Sequence, residues 1–185
     1  MSKLKEHQKS WLSVGYQLFG EDGPEGIQVE RLARILQLNK SSFYHFFVNK
    51  EIFINQMLQM HKRFANEMTE EIFKLGSFDP GVINLLMEYK DTVLFHRQLI
   101  RNSQFPDYKN IFDNINHKID QAILPLWQDE VNLSKESAFT LFDMIRDTFY
   151  SRMNPKNMSA DTIRSVVNES KLFLSQMQKD GKLPK

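Results

Sequence analysis

Residues 29–47 read VERLARILQLNKSSFYHFF, and this stretch decides the fold. Its first half places apolar residues at intervals of three and four, which predicts a short helix with one buried stripe. That stripe comprises Val29, Leu32, Ala33 and Leu36. A turn at Gln37-Leu38 follows, and Asn39 is a good N-cap for a further helix that ends near Phe46. Two short helices joined by a tight turn, the second rich in small polar and aromatic residues, are typical of a DNA-binding helix-turn-helix.

The second helix of this pair has two chemically different faces. At about 100° per residue, Phe43 and Phe47 share one face, and we expect them to lie in the core together with Phe46. The opposite face is polar and carries Ser41, Ser42 and His45, flanked by Tyr44 and Lys40. A face of this kind can enter a major groove without a clash.

The polar groups suit a DNA surface. A lysine can reach a guanine edge or a phosphate, hydroxyls can meet bases or phosphates, and a phenol or an imidazole can bond to backbone oxygens. Lys50 can neutralise a phosphate. The backbone amides near Gln28 and Val29 lie at a helix N-terminus and can bind a second phosphate. The predicted DNA-contacting residues are Gln28, Val29, Lys40, Ser41, Ser42, Tyr44, His45 and Lys50. The alternative is that Tyr44 and His45 are surface aromatic residues without a role in binding.

The same segment resembles the DNA-binding signature of the TetR/AcrR family. The resemblance is carried by GIQVERLA at residues 26–33 and LNKSSFYHFFVNKE at residues 38–51, and it extends roughly from Trp11 to Leu58. It implies base or near-base contacts from Lys40, Ser41 and Ser42, and phosphate contacts from Gln28, Tyr44, His45 and Lys50. It also implies a repressor that leaves its operator when a small apolar or amphipathic effector binds.

Two residues depart from the family pattern. Gln37 stands where members often have glycine, and Glu30 places an acid near the point where the first helix of the pair would meet DNA. The acidic residues near this helix leave a second class of function open, namely an all-helical small-molecule binding or scaffold protein without DNA binding.

The whole chain is predicted to be all-α. It has seven glycines and six prolines among 185 residues, no segment alternates like a strand, and apolar spacings of three and four recur. We expect about nine helices, near residues 3–19, 29–36, 40–46, 51–75, 80–103, 108–130, 135–153 and 160–179, with a break near His96. The expected N-caps of later helices are Asp79, Ser134 and Ser159, and Pro125 is expected to bend its helix. Residues 181–185 are expected to be disordered.

We expect an N-terminal three-helix helix-turn-helix domain, residues 1–50, and a C-terminal helical effector-binding and dimerisation domain, residues 51–185. In the family that the chain resembles, the middle helices enclose the effector pocket. The candidate pocket residues are Phe64, Met68, Met87, Phe95, Phe105, Phe112, Asp143 and Arg146. The alternative stays open, because apolar residues at helical spacing are usually core and charged residues are usually paired at the surface.

The last two helices carry apolar stripes that predict a homodimer. The candidate interface residues are Phe142, Ile145, Phe149, Ile163, Val166, Val167, Ser170 and Leu174. Two copies of such a helix pair can form a four-helix bundle, and two recognition helices about 34 Å apart can bind both halves of a palindrome. The alternative is that both stripes pack on the rest of the same chain.

Composition argues against several other classes of protein. The net charge of +1 means that any DNA footprint must be local. The chain has no cysteine, no run of the roughly 18 to 20 apolar residues that a membrane helix needs, and no signal peptide, so we expect a cytoplasmic protein. The motifs of zinc proteases, di-iron bundles, serine hydrolases and phosphate loops are missing, and the five histidines are scattered. We therefore expect no catalytic residue, no metal and no cofactor, and we expect double-stranded operator DNA and a small effector as partners.

Overall fold

The computed structural model describes residues 3–179, which form α-helices and no β-strand. The nine helices of these residues are α1 (Lys3–Asp22), α2 (Val29–Leu36), α3 (Lys40–Phe47), α4 (Lys50–Ile72), α5 (Ile83–Glu88), α6 (Lys90–Arg101), α7 (Pro106–Val131), α8 (Lys135–Arg152) and α9 (Ala160–Lys179). A 3₁₀ turn at Pro24–Gly26 and a π-helical turn at Phe78–Val82 complete the order. The all-α prediction is confirmed, whereas the predicted disorder of residues 181–185 concerns residues outside the described range. None of the described helices combines the length and the apolarity that crossing a bilayer requires.

Local sequence signals predict most helix starts correctly. α2 and α3 begin where the apolar spacing predicts them. Ser134 caps α8, its Oγ accepting a hydrogen bond from the Ser137 N–H at 3.3 Å. Ser159 caps α9 in the same way, accepting from the Thr162 N–H at 3.2 Å. Both predicted serine caps are therefore confirmed.

The predicted cap at Asp79 is wrong. Asp79 has an extended backbone, with φ −109° and ψ 126°, and the capping oxygen is Ser77 Oγ, which accepts from the Gly81 N–H at 3.3 Å. The Asp79 carboxylate instead accepts from Arg164 of α9, whose Nε lies 3.1 Å from Oδ2. A charged, forked partner of this kind binds a carboxylate more strongly than backbone N–H groups at a helix start do.

The predicted break near His96 is also wrong, because the chain breaks at Tyr89. Tyr89 leaves the helical conformation, with φ −95° and ψ 26°, and its N–H closes α5 on the Leu85 carbonyl at 3.0 Å. His96 lies inside α6, where residues 92–99 are all buried, and a break there would leave backbone groups unpaired in the core. α7 continues through Pro125, and the predicted bend at this proline stays a prediction.

The described residues divide into two compact units. One comprises the described part of residues 1–67 together with 91–116, and the other comprises 68–90 together with the described part of 117–185. The three unit boundaries fall inside α4, after the first residue of α6, and inside α7. They differ from the expected domains 1–50 and 51–185, and that domain boundary stays a prediction.

Four aromatic rings form the core beneath α3 in the first unit. Trp11, Phe43, Phe47 and Phe53 are all completely buried. The Phe43 ring lies 5.4 Å from that of Trp11 and 5.1 Å from that of Phe53, both in edge-to-face geometry, and Phe47 lies 4.7 Å from Phe53. Edge-to-face contacts at these distances are favourable, so the rings hold α1, α3 and α4 together. The predicted inward face of α3 is confirmed.

A buried polar chain links α1, α4 and α6 within the same unit. The Tyr16 hydroxyl lies 2.8 Å from His61 Nδ1, and His61 Nε2 lies 3.1 Å from His96 Nδ1. The Phe95 ring stacks on Tyr16 and on His61, with centroid distances of 4.4 and 4.6 Å. Burial lowers the pKa of His61 well below its usual value and that of His96 to about 3, so both imidazoles are neutral at pH 7.

A second polar contact fixes the end of α1 on α6. The Gln98 side-chain amide donates to the Gly20 carbonyl at 3.2 Å and to the Glu21 carbonyl at 3.0 Å. The last carbonyls of a helix have no partner within the helix, and an amide that satisfies two of them stabilises the helix end.

The second unit is built around Trp127. Its side chain is completely buried, its ring lies 5.0 Å from that of Phe78, and its Nε1 donates to the Ala138 carbonyl at 3.1 Å. The ion pair between Asp79 and Arg164 ties the π-helical turn to α9 within this unit.

Gly15 provides a test of the packing between α1 and α4. A Cβ at this position would lie 2.8 Å from Phe53 Cε1 and 2.9 Å from Met57 Sδ, and both of those side chains are fully buried. We expect Gly15→Ala to lower the free energy of unfolding by about 1–3 kcal/mol through overpacking, although alanine is about 1 kcal/mol better than glycine in a helix. Urea denaturation measures this, with Gly76→Ala as the control, because a Cβ there would meet no atom within 4 Å. Equal stability of Gly15→Ala and the wild type would contradict the packing.

Because His61 and His96 are buried, we expect the free energy of unfolding to fall in acid. Both have lowered pKa values in the fold, whereas in the unfolded chain a histidine titrates near about 6.5. Their contribution is therefore complete above that pH and declines below it, by up to about 1.4 kcal/mol per pH unit for each ring. Urea denaturation between pH 7 and 5 should show this slope, and His96→Gln should flatten it. His45→Gln, at an exposed position, is the control, and an unchanged slope in His96→Gln would contradict the prediction.

Candidate nucleic-acid interface

The turn between α2 and α3 is held by two backbone hydrogen bonds. The Leu38 N–H donates to the Ala33 carbonyl at 2.9 Å and the Gln37 N–H to the Arg34 carbonyl at 3.3 Å, which is the Schellman arrangement. Gln37 takes the left-handed conformation, with φ 55° and ψ 39°. This position favours glycine, which explains the family preference, yet the turn forms fully with glutamine.

The start of α3 differs in detail from the prediction. Asn39 is the N-cap residue by backbone conformation, but its side chain makes no capping hydrogen bond. Ser42 compensates, since its N–H and its hydroxyl both donate to the Asn39 carbonyl, at 3.0 and 2.7 Å. The Ser42 hydroxyl is half-buried and partly used inside the protein, so Ser41 is the more accessible of the two serines.

The other predicted contact residues lie mainly on the protein surface. The exposed members of the set are Gln28, Lys40, Ser41, Tyr44, His45 and Lys50. The Val29 side chain is buried, so only its backbone amide can face a phosphate. Phe46, which was expected in the core, is only half-buried, because it lies between the buried face of α3 and its polar face. The structure thus brings one short polar strip of α3 to the surface beside the starts of α2 and α4.

Lys50 stands at the first position of α4. The Asn49 side chain caps this helix, its Oδ1 accepting from the Ile52 N–H at 2.8 Å. Val48, which links the helices, has φ 56° and is 70% exposed. A valine in this conformation is strained, so packing on both sides must hold the connection that presents Lys50.

Glu30 and Lys40 form an ion pair that the sequence interpretation did not include. Lys40 Nζ lies 2.6 Å from Glu30 Oε1, and the two side chains are 56% and 66% exposed. The hydrogen bond from Lys40 lowers the pKa of Glu30. The residues are ten positions apart and belong to different helices, so no helical spacing rule would have paired them.

The candidate pocket residues are divided between the two units. The first unit contains Phe64, Phe95, Phe105 and Phe112, and the second contains Met68, Met87, Asp143 and Arg146. Phe95 and Phe112 stack against the buried histidines, with Phe112 4.6 Å from His96, and so belong to the core. Arg146 pairs with Asp143 and with Asp120, 2.5 Å away in the latter case, so both charged candidates have partners within their unit. Their assignment to an effector pocket stays a prediction.

A surface groove of about 400 Å³ lies within the first unit, between the start of α4 and the start of α7. Its apolar wall includes Ile54, Leu58 and Phe105, and Lys50 borders it. Phe105 is the candidate pocket residue that lines it. Among residues 3–179, no group of three histidine, aspartate or glutamate side chains is arranged to hold a metal ion.

The apolar stripes of α8 and α9 divide into inner and outer parts. Phe142, Ile163, Val166 and Val167 are buried within a single chain, whereas Ile145, Phe149, Ser170 and Leu174 are half-buried. Among the side chains that the structure describes on these helices, four other apolar ones are exposed, namely Phe139 and Met144 on α8 and Leu172 and Phe173 on α9. The predicted interface stays a prediction, and the exposed residues are the ones that the apolar spacing did not identify.

Comparison with known protein sequences gives two results. Residues 12–57 match the family of bacterial regulatory proteins called the tetR family, and this range contains α2, α3 and the start of α4. The chain is also 28% identical over 131 residues to the HTH-type transcriptional repressor NemR of Escherichia coli strain K12. That match covers 70% of this chain and 61% of the repressor.

Solved structures show the same fold. A tetR-family transcriptional regulator from Streptomyces coelicolor superposes with a TM-score of 0.57 at 13% identity, covering 98% of this chain and 86% of that one. A transcriptional regulator of the TetR/AcrR family from Aquifex aeolicus gives a TM-score of 0.58 at 17% identity, covering 92% and 98%. The tetR-family match therefore coincides with the helix-turn-helix, and the likeness of fold to solved TetR-family regulators extends over nearly the whole chain.

Proposed function

We propose that this protein is a sequence-specific DNA-binding transcriptional regulator that uses α3 as its recognition helix. The observation that carries the proposal is the orientation of α3: Phe43 and Phe47 are fully buried, while Lys40, Ser41 and Tyr44 are exposed. A helix anchored on one face and polar on the other can enter a major groove with its N-terminal residues at the base edges.

The expected contacts fall into two groups. Lys40 and Ser41 stand at the N-terminal end of α3 and are proposed to read base edges. The side chains of Gln28, Tyr44, His45 and Lys50 are proposed to bind phosphates, which positions the helix without reading sequence. The backbone amide of Val29 adds a contact at the start of α2, and Ser42 has a smaller part because its hydroxyl already donates to Asn39.

Repression with release by an effector is the proposed mode of regulation. The relative NemR is described as a repressor, and the effector proposed here is a small apolar or amphipathic molecule. α4 begins with Lys50 beside α3 and contains residues of both compact units. A change in the tilt of α4 would move the recognition helices of a dimer relative to each other, and so shift the population between DNA-competent and incompetent states.

A specific observation supports a second candidate function. Lys40, the cation nearest the predicted base edges, is already paired with Glu30. The protein could therefore be an all-helical small-molecule binding or scaffold protein that does not bind DNA. Selection from a randomised duplex library distinguishes the two, because only a DNA-binding regulator would enrich a preferred sequence with an affinity that falls as salt rises.

Lys50 tests the placement of the interface. We expect Lys50→Ala to weaken binding to all duplexes similarly and to reduce the slope of log affinity against log salt by about 0.9, the value for one phosphate contact. Fluorescence anisotropy on a selected duplex, between about 50 and 200 mM salt, measures both effects. Lys156→Ala makes the same change in net charge at an exposed position between α8 and α9, and should leave the slope unchanged. Unaltered DNA binding by Lys50→Ala would show that Lys50, at the start of α4, does not contact a phosphate of the DNA.

A homodimer through α8 and α9 is the proposed assembly, and the exposed residues Leu172 and Phe173 are proposed to contribute to it. Phe173 is 53% exposed in the single chain, so Phe173→Glu should leave the protomer folded while placing a charge in an apolar interface. We expect light scattering to show about twice 21.9 kDa for the wild type and a shift toward one protomer mass for this variant. Asn110→Glu, on α7, is the charge-matched control. A monomeric wild type would rule out this assembly.

A further inference from the structure

We propose that Glu30 of α2 determines specificity by holding the Lys40 ammonium group away from phosphates, so that sequence-independent binding is suppressed more than binding to the preferred sequence. This inference rests on the proposed DNA-binding function. It assigns a role to a residue that departs from the family pattern and lies beside the recognition helix rather than in it.

The ion pair is close but easily exchanged. The distance of 2.6 Å between Lys40 Nζ and Glu30 Oε1 is that of a charge-assisted hydrogen bond, yet more than half of each side chain is exposed. Exposed ion pairs contribute little to stability because water and salt screen them. Lys40 can therefore leave Glu30 when a better acceptor arrives.

The basic residue that follows Glu30 on α2 has a different partner. Arg31, the next residue on α2, pairs with Asp22 at 2.5 Å, which directs its guanidinium to the end of α1. The pKa of Glu30 is lowered chiefly by its hydrogen bond with Lys40, so the carboxylate is ionised whenever the pair forms. The N-terminal end of α3 consequently presents a neutralised pair rather than a free positive charge.

The two kinds of DNA acceptor respond differently to this pair. A phosphate that attracts Lys40 must also approach the Glu30 carboxylate, and the two negative charges repel each other. A guanine edge carries no net charge and offers two acceptors, O6 and N7, to a lysine. Glu30 therefore penalises a lysine–phosphate contact more than a lysine–guanine contact, and the penalty applies equally to every non-preferred sequence.

The substitution Glu30→Gln removes the charge and keeps the shape. The probes are a duplex that the wild-type protein selects from a randomised library and a scrambled duplex of the same composition. We expect the variant to bind the scrambled duplex about three- to tenfold more tightly at low salt and to gain about 0.9 in salt slope there. Affinity for the selected duplex should rise less, so the ratio of the two affinities should fall.

Two further variants separate this role from a general change of charge. Glu25→Gln removes the same charge from the adjacent 3₁₀ turn, where Glu25 is exposed and has no ion pair within residues 3–179, and it should leave the affinity ratio unchanged. Lys40→Gln removes the partner, and in that background Glu30→Gln should no longer alter the ratio. All three sites are exposed, and thermal denaturation checks that each variant is folded.

The outcomes distinguish this inference from the proposed function. A wild-type protein that selects no duplex overturns both. A wild-type protein that binds its selected duplex, together with a Glu30→Gln variant that strengthens both duplexes equally or neither, overturns the role of Glu30 alone. A fall in the affinity ratio that depends on Lys40 supports it.

Discussion

The packing of Phe43 against Trp11, Phe47 and Phe53 is the constraint on which the rest of the candidate interface depends. α3 has eight residues, too few for an isolated helix to be stable in water, so its existence relies on what it packs against. The rings of α1 and α4 meet Phe43 edge to face, which fixes both the position of α3 and its rotation about its own axis. That rotation puts Lys40 on the outside.

Features that depend on neighbours in sequence were predictable from sequence. The spacing of Val29, Leu32 and Leu36 defined α2, and the serines before α8 and α9 cap them as expected, because such signals act over three or four residues. The helix break and the cap before α5 were not predictable. Asp79 accepts a hydrogen bond from Arg164, 85 positions away, and His96 contacts His61, 35 positions away. Contacts over such sequence separations depend on the completed fold, and no periodic pattern in the sequence indicates them.

The same distinction applies to the candidate interface. Helical geometry correctly separated the buried and exposed faces of α3, because a helix turns by a fixed angle per residue. It could not show that the Ser42 hydroxyl would donate to Asn39, or that Lys40 would reach Glu30, since rotamers and inter-helix distances decide both. For α8 and α9, spacing identified apolar stripes but could not separate the buried Val166 from the exposed Phe173.

The turn between α2 and α3 shows how strongly the core governs local geometry. Gln37 adopts the left-handed conformation, which costs an L-residue roughly 1–2 kcal/mol compared with glycine, and still closes both Schellman hydrogen bonds. Leu32 of α2 and Phe43 of α3 are completely buried on either side of it, so packing more than turn chemistry fixes the angle between these helices. Exposed residues of α3 can then vary without disturbing the fold. A change that moves Phe53 on α4, by contrast, acts on the ring contact that holds α3 and so on the direction in which its polar face points.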